Sequence, residues 1–183
     1  VYAGTDSTGA FKTVNGGSSW SAINSGLTQP YVYAIAVDPR SPNRILIGSE
    51  AGLFLSTNAG AAWSAWGNGL PPAPSIRVIV FDPNSPGLVF AGIWERGVYR
   101  SVDGGTTWTA FGADLPDLKV YALAYDSSRR TLYAGTRLRG VFAYTPLSTD
   151  VPDPIAPEES SLRLVAGPNP VLQQTDIRFS ILR

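Results

Sequence analysis

The sequence contains no cysteine, no histidine and no methionine. The lack of cysteine excludes disulfide bonds and thiolate chemistry within these residues, although it does not define the redox compartment. There is also no net charge, because 14 Lys and Arg balance 14 Asp and Glu. A neutral chain argues against nucleic acid or an acidic membrane as a general partner. No run of about 18 apolar residues occurs, so we expect no membrane-spanning helix.

One motif, [Ser/Thr]-x-[Asp/Asn]-x-Gly-x-x-Trp, occurs three times, and we call each copy a box. The copies are Thr13-Val-Asn-Gly-Gly-Ser-Ser-Trp20, Ser56-Thr-Asn-Ala-Gly-Ala-Ala-Trp63 and Ser101-Val-Asp-Gly-Gly-Thr-Thr-Trp108. They begin at 13, 56 and 101, so the steps are 43 and 45 residues. Short apolar runs ending at Gly4, Gly48, Gly92 and Gly135 repeat at almost the same interval. A period of this length indicates an array of one supersecondary unit.

Each unit has the pattern of four short strands. An apolar run comes first (Tyr31–Val37, Ile76–Phe81 and Val120–Tyr125), and the second strand ends at the recurrent glycine. A third strand leads into the box, and the box tryptophan opens a fourth. Four strands without helical periodicity predict the blade of a β-propeller. We expect the first strand to be apolar on both faces, and the glycine to permit a close approach between strands.

Residues 1–147 are therefore predicted to be all-β and to form the C-terminal arc of a propeller, with two whole antiparallel blades between two partial ones. The fourth unit, Gly140-Val-Phe-Ala-Tyr-Thr-Pro146, has no box. A closed propeller often completes its last blade with a strand from the other end of the chain, because closure removes exposed edges. We expect the missing outer strand to come from upstream of Val1.

The remaining residues differ in composition. Residues 148–160 contain four carboxylates, three prolines and no Lys or Arg, which is typical of an extended, solvated linker. Within residues 161–183, the alternation along Thr175-Asp-Ile-Arg-Phe-Ser-Ile181 predicts a half-buried strand. Two strands cannot form a domain, so residues 161–183 are predicted to be the truncated start of a β-sandwich.

The box residues favour a structural role over a chemical one. The Asp or Asn can accept hydrogen bonds from the backbone of a tight turn, and the glycine suits a positive φ. Asn15 and Asn58 keep this acceptor but lack the charge that a metal or acid–base site requires. We therefore predict no metal and no cofactor. The residues assigned to the structural boxes are Thr13, Asn15, Gly17, Trp20, Ser56, Asn58, Gly60, Trp63, Ser101, Asp103, Gly105 and Trp108.

The boxes resemble Asp-boxes, also called bacterial neuraminidase repeats. Over residues 1–147 the units resemble blades of sortilin-type receptors, photosystem assembly-factor propellers and xyloglucan-cleaving glycosidases. This resemblance implies the fold, with the box as a structural turn, and does not select a function, because all these proteins share the box. Pro168-Asn-Pro170 with Thr175-Asp-Ile-Arg-Phe179 resembles the start of the C-terminal sorting domain of type IX-secreted bacterial proteins. It implies a secreted or surface-held bacterial protein that contacts the secretion machinery.

A ligand site is expected on the propeller face opposite the boxes. Alternate loops of a blade share a face, so the loops after the second and fourth strands lie together there. The candidate ligand-binding residues are Asp6, Glu50, Trp94, Glu95, Arg137 and Arg139, and the candidate catalytic carboxylates are Glu95, Asp114 and Asp117. Carboxylates beside an aromatic side chain suit carbohydrate recognition, although charged loop residues are often merely solvated.

Three functions stay open on the sequence. The chain is a non-catalytic propeller that binds a polysaccharide or a protein, the end of a xyloglucanase-like or sialidase-like glycosidase, or an assembly factor. A glycosidase requires two carboxylates about 5–10 Å apart across a cleft. A sialidase also needs an arginine cluster, for which Arg137 and Arg139 are available. The exported tail argues against the assembly factor.

Overall fold

The computed structural model describes residues 1–85 and 87–145, together with the backbone of two short strands beyond them. Every regular element in this part of the chain is a β-strand, so it offers no helix with the length and apolarity to cross a membrane. The strands are β1 (Tyr2–Gly4), β2 (Ala10–Lys12), β3 (Ser21–Ala22), β4 (Val32–Val37), β5 (Ile45–Ser49), β6 (Gly52–Ser56), β7 (Ser64–Trp66), β8 (Ile76–Phe81), β9 (Val89–Ile93), β10 (Gly97–Ser101), β11 (Thr109–Phe111), β12 (Val120–Asp126), β13 (Thr131–Thr136), β14 (Gly140–Tyr144), β15 (Val165–Ala166) and β16 (Ile177–Arg178).

The strands form consecutive antiparallel sheets, each in chain order. β1–β2–β3 and β12–β13–β14 are three-stranded, and the two sheets between them, β4–β5–β6–β7 and β8–β9–β10–β11, are four-stranded. This all-β arrangement is a partial propeller arc, and it confirms the predicted fold class. β15 and β16 pair antiparallel. The predicted linker and sandwich otherwise lie outside the described residues, so that division of the chain stays a prediction.

Apolar side chains fill the space between each pair of neighbouring sheets. Ile45 and Phe54 belong to the core between the first and second sheets. Leu46 of the second sheet packs with Ile93 of the third, and Phe90 belongs to the core between the third and fourth sheets. Each four-stranded sheet is therefore covered on both faces by its neighbours.

The recurrent glycines allow neighbouring sheets to approach closely, as predicted. A Cβ added to Gly48 would lie 2.6 Å from Ile76 Cγ2 and 2.8 Å from the Ile76 carbonyl oxygen. Gly4 stands in the same relation to Val32, with 2.6 Å to Val32 Cγ1. Ile76 and Val32 open the first strand of the next sheet. A side chain at either glycine would push two sheets apart.

The first strands are less buried than the second strands. β5 and β9, which are second strands, are buried along their whole length. β4 and β8 are half-buried over most of their residues. A first strand forms the inner edge of its sheet, where one side of its backbone has no neighbouring strand among the described residues, and this leaves it partly accessible.

Each box is closed by its own hydrogen bonds. In the third box the Ser101 hydroxyl donates to Asp103 Oδ1 at 2.7 Å and accepts from the Gly105 N–H at 2.7 Å. Asp103 Oδ1 also accepts from the Thr107 N–H at 2.8 Å. Burial alone would raise the pKa of Asp103, but these hydrogen bonds hold it below its ordinary value.

The second box makes the same bonds with an amide in place of the carboxylate. The Ser56 hydroxyl donates to Asn58 Oδ1 at 2.8 Å, and Asn58 Oδ1 accepts from the Ala62 N–H at 3.0 Å. The glycine that recurs in the motif has a φ of 88° in Gly60 and 91° in Gly105. Because the neutral amide and the carboxylate make the same bonds, the box needs an acceptor and not a charge.

The box tryptophans do not all fill gaps between sheets. Trp63 and Trp108 are 5% and 3% exposed, whereas Trp20 is 43% exposed. The Trp63 indole N–H donates to the carbonyl of Ile23, which lies in the preceding unit, at 2.6 Å. Each box tryptophan thus packs against the sheet before its own, and no described sheet precedes that of Trp20. Trp20 is therefore exposed although it holds the same box position as Trp63 and Trp108.

The boxes and the loops after the first strands share one face. Gly104 of the third box donates to the Gly87 carbonyl at 2.8 Å, and the Arg44 guanidinium donates to the Gly104 carbonyl. Arg40 Nη2 reaches the Asn84 carbonyl at 2.8 Å, linking two such loops. The opposite face carries the turns between second and third strands, and we call it the site face.

Candidate functional site

Three side chains reach the site face from β-bulges at the start of the first strands. The register of each first strand against its second strand shifts after the opening residue, which leaves Tyr33, Arg77 and Tyr121 as the bulged residues. They are spaced by 44 residues. A bulge leaves one residue out of the ladder and changes the direction of its side chain. The same backbone irregularity therefore presents one side chain per blade.

A second row of side chains follows the second strands. Glu50, Trp94 and Arg137 each come directly after a second strand. Their N–H groups donate to the carbonyls of Tyr31, Ser75 and Lys119 at 3.3, 2.9 and 2.9 Å. These bonds fix the turn of each blade against the entry to its own first strand. The two rows consequently lie side by side across three sheets.

Arg77 lies between aromatic rings of two blades. Its guanidinium carbon is 3.8 Å from the centroid of Tyr33 and 5.2 Å from the centroid of Trp94. Its Nε is buried without a hydrogen-bond partner in the described structure. Arg77 Nη2 lies 3.7 Å from Glu50 Oε2, so the two side chains form an ion pair but are too far apart for a hydrogen bond. The Arg77 guanidinium is thus held mainly by cation–π contacts with the rings of Tyr33 and Trp94.

Trp94 is surrounded by cations. Besides Arg77, Lys119 Nζ lies 5.5 Å and the Arg137 guanidinium carbon 5.9 Å from the ring centroid. Tyr121 meets the indole edge to face at 5.2 Å and is 51% exposed. The electron-rich face of an indole attracts cations within about 6 Å. We call Tyr33, Arg77, Trp94, Lys119, Tyr121 and Arg137 the cation–aromatic cluster.

Glu50 organises one end of the cluster. Its Oε2 accepts from the Tyr33 hydroxyl at 2.7 Å and from the Ser75 hydroxyl at 3.1 Å. The Tyr33 hydrogen bond, aided by Ser75 and Arg77, lowers the pKa of Glu50. The same bond, with burial, raises the pKa of Tyr33. Glu50 therefore stays ionised and Tyr33 protonated at neutral pH.

Lys119 connects the two other carboxylates of the site. Its Nζ lies 3.3 Å from Glu95 Oε1, and its N–H donates to Asp117 Oδ1 at 3.0 Å. Asp117 Oδ2 accepts from the Leu138 N–H at 2.8 Å. These backbone hydrogen bonds, with the nearby charges of Lys119 and Arg139, lower the pKa of Asp117. Asp117 thus ties the loop before β12 to the turn after β13.

The remaining candidate residues differ in their position and in their contacts. Asp6 lies at the position equivalent to Glu50 in the first sheet, but it is exposed and has no hydrogen bond or ion pair within the described residues. Asp114 lies in the turn after β11. Glu95 has a φ of 59° at the tip of its turn, an uncommon conformation for a residue with a side chain. Trp94 is half-buried.

Sequence reasoning missed four members of the cluster: Tyr33, Arg77, Lys119 and Tyr121. The sequence held one signal for this row. Arg77 is the only charged residue within the three apolar first-strand runs, and Tyr33 and Tyr121 lie 44 residues before and after it. Among the described residues no group of three or more His, Cys, Asp or Glu could hold a metal ion. The site therefore consists of cationic side chains, aromatic rings and carboxylates that already take part in hydrogen bonds or ion pairs.

Comparisons with known proteins point to the same fold. No protein-family model and no curated protein matches the chain. Among solved structures, an ancestral GH74 enzyme is 27% identical, with a TM-score of 0.66, covering 78% of this chain and 20% of that one. The GH74 enzyme of Niastella koreensis is 24% identical with a TM-score of 0.59, covering 74% and 24%. PorZ of Porphyromonas gingivalis, an essential bacterial surface component of the type-IX secretion system, is 18% identical with a TM-score of 0.60, covering 79% and 23%.

The chain thus spans about a fifth to a quarter of the length of these structures. The Niastella koreensis enzyme and PorZ, both under 25% identity, show the β-propeller fold alone.

Proposed function

We propose that the chain is part of an exported or cell-surface propeller that binds an acidic glycan or an acidic protein segment on its site face. The observation that supports this best is the convergence of Arg77, Lys119 and Arg137 around Trp94. Arg77 pairs with Glu50, and Lys119 pairs with Glu95 and also lies near Asp117, whose pKa it lowers. Like charges held this close repel one another, so an anionic ligand gains free energy by lying among them.

The shape of the cluster favours an extended ligand over a compact ion. Its members come from three consecutive blades, so they follow the curve of the arc. Tyr121 is 51% exposed and offers a ring face on which a sugar or an apolar side chain can lie. A guanidinium stacked on aromatic rings keeps its edge for planar recognition of a carboxylate. We therefore place an acid group of the ligand near Arg77 and its apolar part near Tyr121.

A binding screen of neutral oligosaccharides, uronate-bearing oligosaccharides and acidic peptides tests the proposal. We expect acidic ligands to bind, and their affinity to fall as salt rises, because exposed charges are screened. Arg77→Ala should weaken binding about tenfold or more, whereas Arg129→Ala, which removes an exposed arginine from the opposite face, should not. Equal affinities of these two variants would overturn the proposal. Preference for glycan or peptide then identifies the ligand class.

A second candidate function is a glycoside hydrolase, favoured by the identity to the ancestral GH74 enzyme. Catalysis would require Glu95 to act with Asp114 or Asp117 across a cleft. Hydrogen bonds lower the pKa of Asp117, which suits a base or nucleophile.

Release of reducing ends from a polysaccharide panel separates the two candidates. Glu95→Gly removes the carboxylate and suits the positive φ of its turn. A rate loss of about 100-fold or more would support catalysis, because that is what an acid–base group contributes. An unchanged rate in Glu95→Gly and Asp117→Asn would exclude these residues as catalytic. No hydrolysis with retained binding would support the binding module.

We also propose that the three boxes are Asp-boxes, and that residues 161–183 begin a type IX sorting domain. The first is supported by the hydrogen bonds that close each box around Asn15, Asn58 or Asp103. The second rests on the sequence around Pro168 and Phe179. Fractionation of the producing bacterium checks export: protein at the surface or in the medium is expected, and retention in the cytoplasm would contradict it.

A further inference from the structure

Two of the seven asparagines in the sequence, Asn15 and Asn68, are followed directly by glycine. An asparagine can lose its side-chain amide when the backbone nitrogen of the next residue attacks its Cγ. A glycine in that next position favours the attack, because a residue without a Cβ leaves its nitrogen open and its backbone free to turn. Both pairs are exposed, so exposure does not distinguish them.

The amide of Asn15 is held in place by the first box. Its Oδ1 accepts hydrogen bonds from the Thr13 hydroxyl at 2.9 Å and from the Ser19 N–H at 3.0 Å. Its Nδ2 donates to Ser19 Oγ at 2.8 Å. These bonds have to break before Asn15 can react, because its side chain must turn toward the nitrogen of Gly16. The box therefore protects the amide of Asn15.

The amide of Asn68 makes no hydrogen bond in the part of the chain that the structure describes. The backbone of the same residue is bonded on both sides: its N–H donates to the Thr106 carbonyl at 2.9 Å, and its carbonyl accepts from the Trp108 N–H at 2.8 Å. Asn68 thus lies against the third box while its side chain stays unbound. Its Cγ is free to meet the nitrogen of Gly69, whose N–H donates to no partner among the described residues.

The structure requires glycine at position 69 but does not require asparagine at position 68. A Cβ added to Gly69 would lie 2.3 Å from the Trp108 carbonyl oxygen, so a side chain does not fit there without a shift. The residue equivalent to Asn68 one blade earlier is Ser25, whose carbonyl accepts from the Trp63 N–H at 2.9 Å. Because serine makes the same backbone contact, Asn68→Ser is a matched variant that lacks only the amide.

We propose that Asn68 is a site of spontaneous deamidation. The nitrogen of Gly69 forms a bond to Asn68 Cγ, the bond from Cγ to Nδ2 breaks, and the proton of the Gly69 nitrogen leaves with Nδ2 as ammonia. Water then opens the imide ring and gives a proton to the ring nitrogen. Addition of water at Cγ breaks the bond from Cγ to that nitrogen and yields aspartate, whereas addition at the backbone carbonyl carbon breaks the other bond and yields isoaspartate.

The isoaspartate product is longer along the main chain. Its chain runs through Cγ, so one more carbon separates Cα of residue 68 from the nitrogen of Gly69. Gly69 lies so close to the Trp108 carbonyl that the space beside it does not hold even a Cβ. The longer chain therefore shifts residue 69 or the third box, whereas the aspartate product keeps the backbone and adds one negative charge.

Peptide mapping by mass spectrometry measures the reaction at each asparagine of the 183-residue chain, kept for several weeks in neutral buffer. Deamidation raises the mass of a peptide by about one dalton. We expect Asn68 to react about tenfold faster than Asn15 or more, because three hydrogen bonds of the Asn15 amide must break first. The same chain in concentrated urea is the control, and there the two rates should come close together, since glycine follows both residues.

Equal rates at Asn15 and Asn68 in the folded chain would overturn the proposal, and so would retention of both amides. Asn68→Ser should leave only the slow reaction at Asn15, with an unchanged Tm as the check of its fold. The isoaspartate form, separated by ion exchange, should have a Tm several degrees below that of Asn68→Asp. An equal Tm would contradict the shift expected beside Trp108.

Discussion

Replacing Trp108 by alanine should strongly destabilise the arc. The side chain is 3% exposed and lies in the core between the second and third sheets. Its indole N–H donates to the Gly105 carbonyl at 2.8 Å, so the truncation also removes a hydrogen bond inside the box. The loss therefore combines apolar burial, cavity formation and an unsatisfied acceptor.

The magnitude of the loss is set by the area involved. A buried aromatic side chain removes roughly 150–250 Å² from water, which at about 25 cal/mol per Å² is worth some 4–6 kcal/mol as an upper figure. Measured truncations of buried tryptophan or phenylalanine to alanine cost about 3–5 kcal/mol, and we expect Trp108→Ala to fall in this range.

Trp20→Ala is the matched control, because it changes the same box position in a side chain that is 43% exposed. With a little over half the buried area, it should cost about 2–3 kcal/mol as an upper figure, and it leaves no internal cavity. Urea unfolding followed by circular dichroism measures both, together with the slope m, since an array of repeats can lose cooperativity. Equal losses for Trp20 and Trp108, or a loss below about 1 kcal/mol for Trp108, would refute the packing of each box against the preceding sheet.

Three further predictions concern the box, the glycines and acid stability. Asp103→Asn should change the free energy of unfolding by less than about 0.5 kcal/mol, whereas Asp103→Ala should lower it by about 1–2 kcal/mol. A large loss of stability in Asp103→Asn would show that the box needs the carboxylate charge. Gly48→Ala should lower the Tm by several degrees more than Gly135→Ala. A Cβ added at Gly48 would lie 2.6 Å from Ile76, whereas the nearest atom to a Cβ added at Gly135 would be 3.3 Å away. Equal shifts in Tm would contradict the close approach of the sheets at Gly48. Hydrogen bonds from a serine hydroxyl and the following backbone lower the pKa of Asp126 from 3.8 to about 2. Its stabilisation is therefore present above about pH 4 and lost as the pH falls toward 2, so thermal melts should show a shallower acid dependence in Asp126→Asn, and an unchanged dependence would contradict it.

Periodicity in the sequence was enough to predict the blades. Strand positions repeat at nearly constant intervals, and the alternation of loops between two faces follows from antiparallel connection alone. These local rules placed Glu50, Trp94, Glu95 and Arg137 on one face, and the structure brings them near the same cluster. Local rules failed where burial depends on a neighbouring sheet. Trp20 has the same sequence context as Trp108 yet remains exposed.

The cation–aromatic cluster was harder to predict for a geometric reason. A strand pattern assigns side chains to alternate faces, and a bulge breaks that alternation at a single residue. Tyr33, Arg77 and Tyr121 therefore look like ordinary first-strand residues in the sequence and reach the site face only in three dimensions. Lys119 was missed because its partners Glu95 and Trp94 lie about 25 residues earlier.

The five tryptophan indole N–H signals of the ¹⁵N-labelled chain give the most direct test of where a ligand binds. We take an oligogalacturonide as the acidic probe and titrate it while following these signals. If the site face binds it, the Trp94 signal shifts with a saturable curve while the buried Trp63 and Trp108 signals stay in place. A saturable shift of Trp63 or Trp108 with Trp94 unchanged would place the ligand at the boxes and contradict the proposed site.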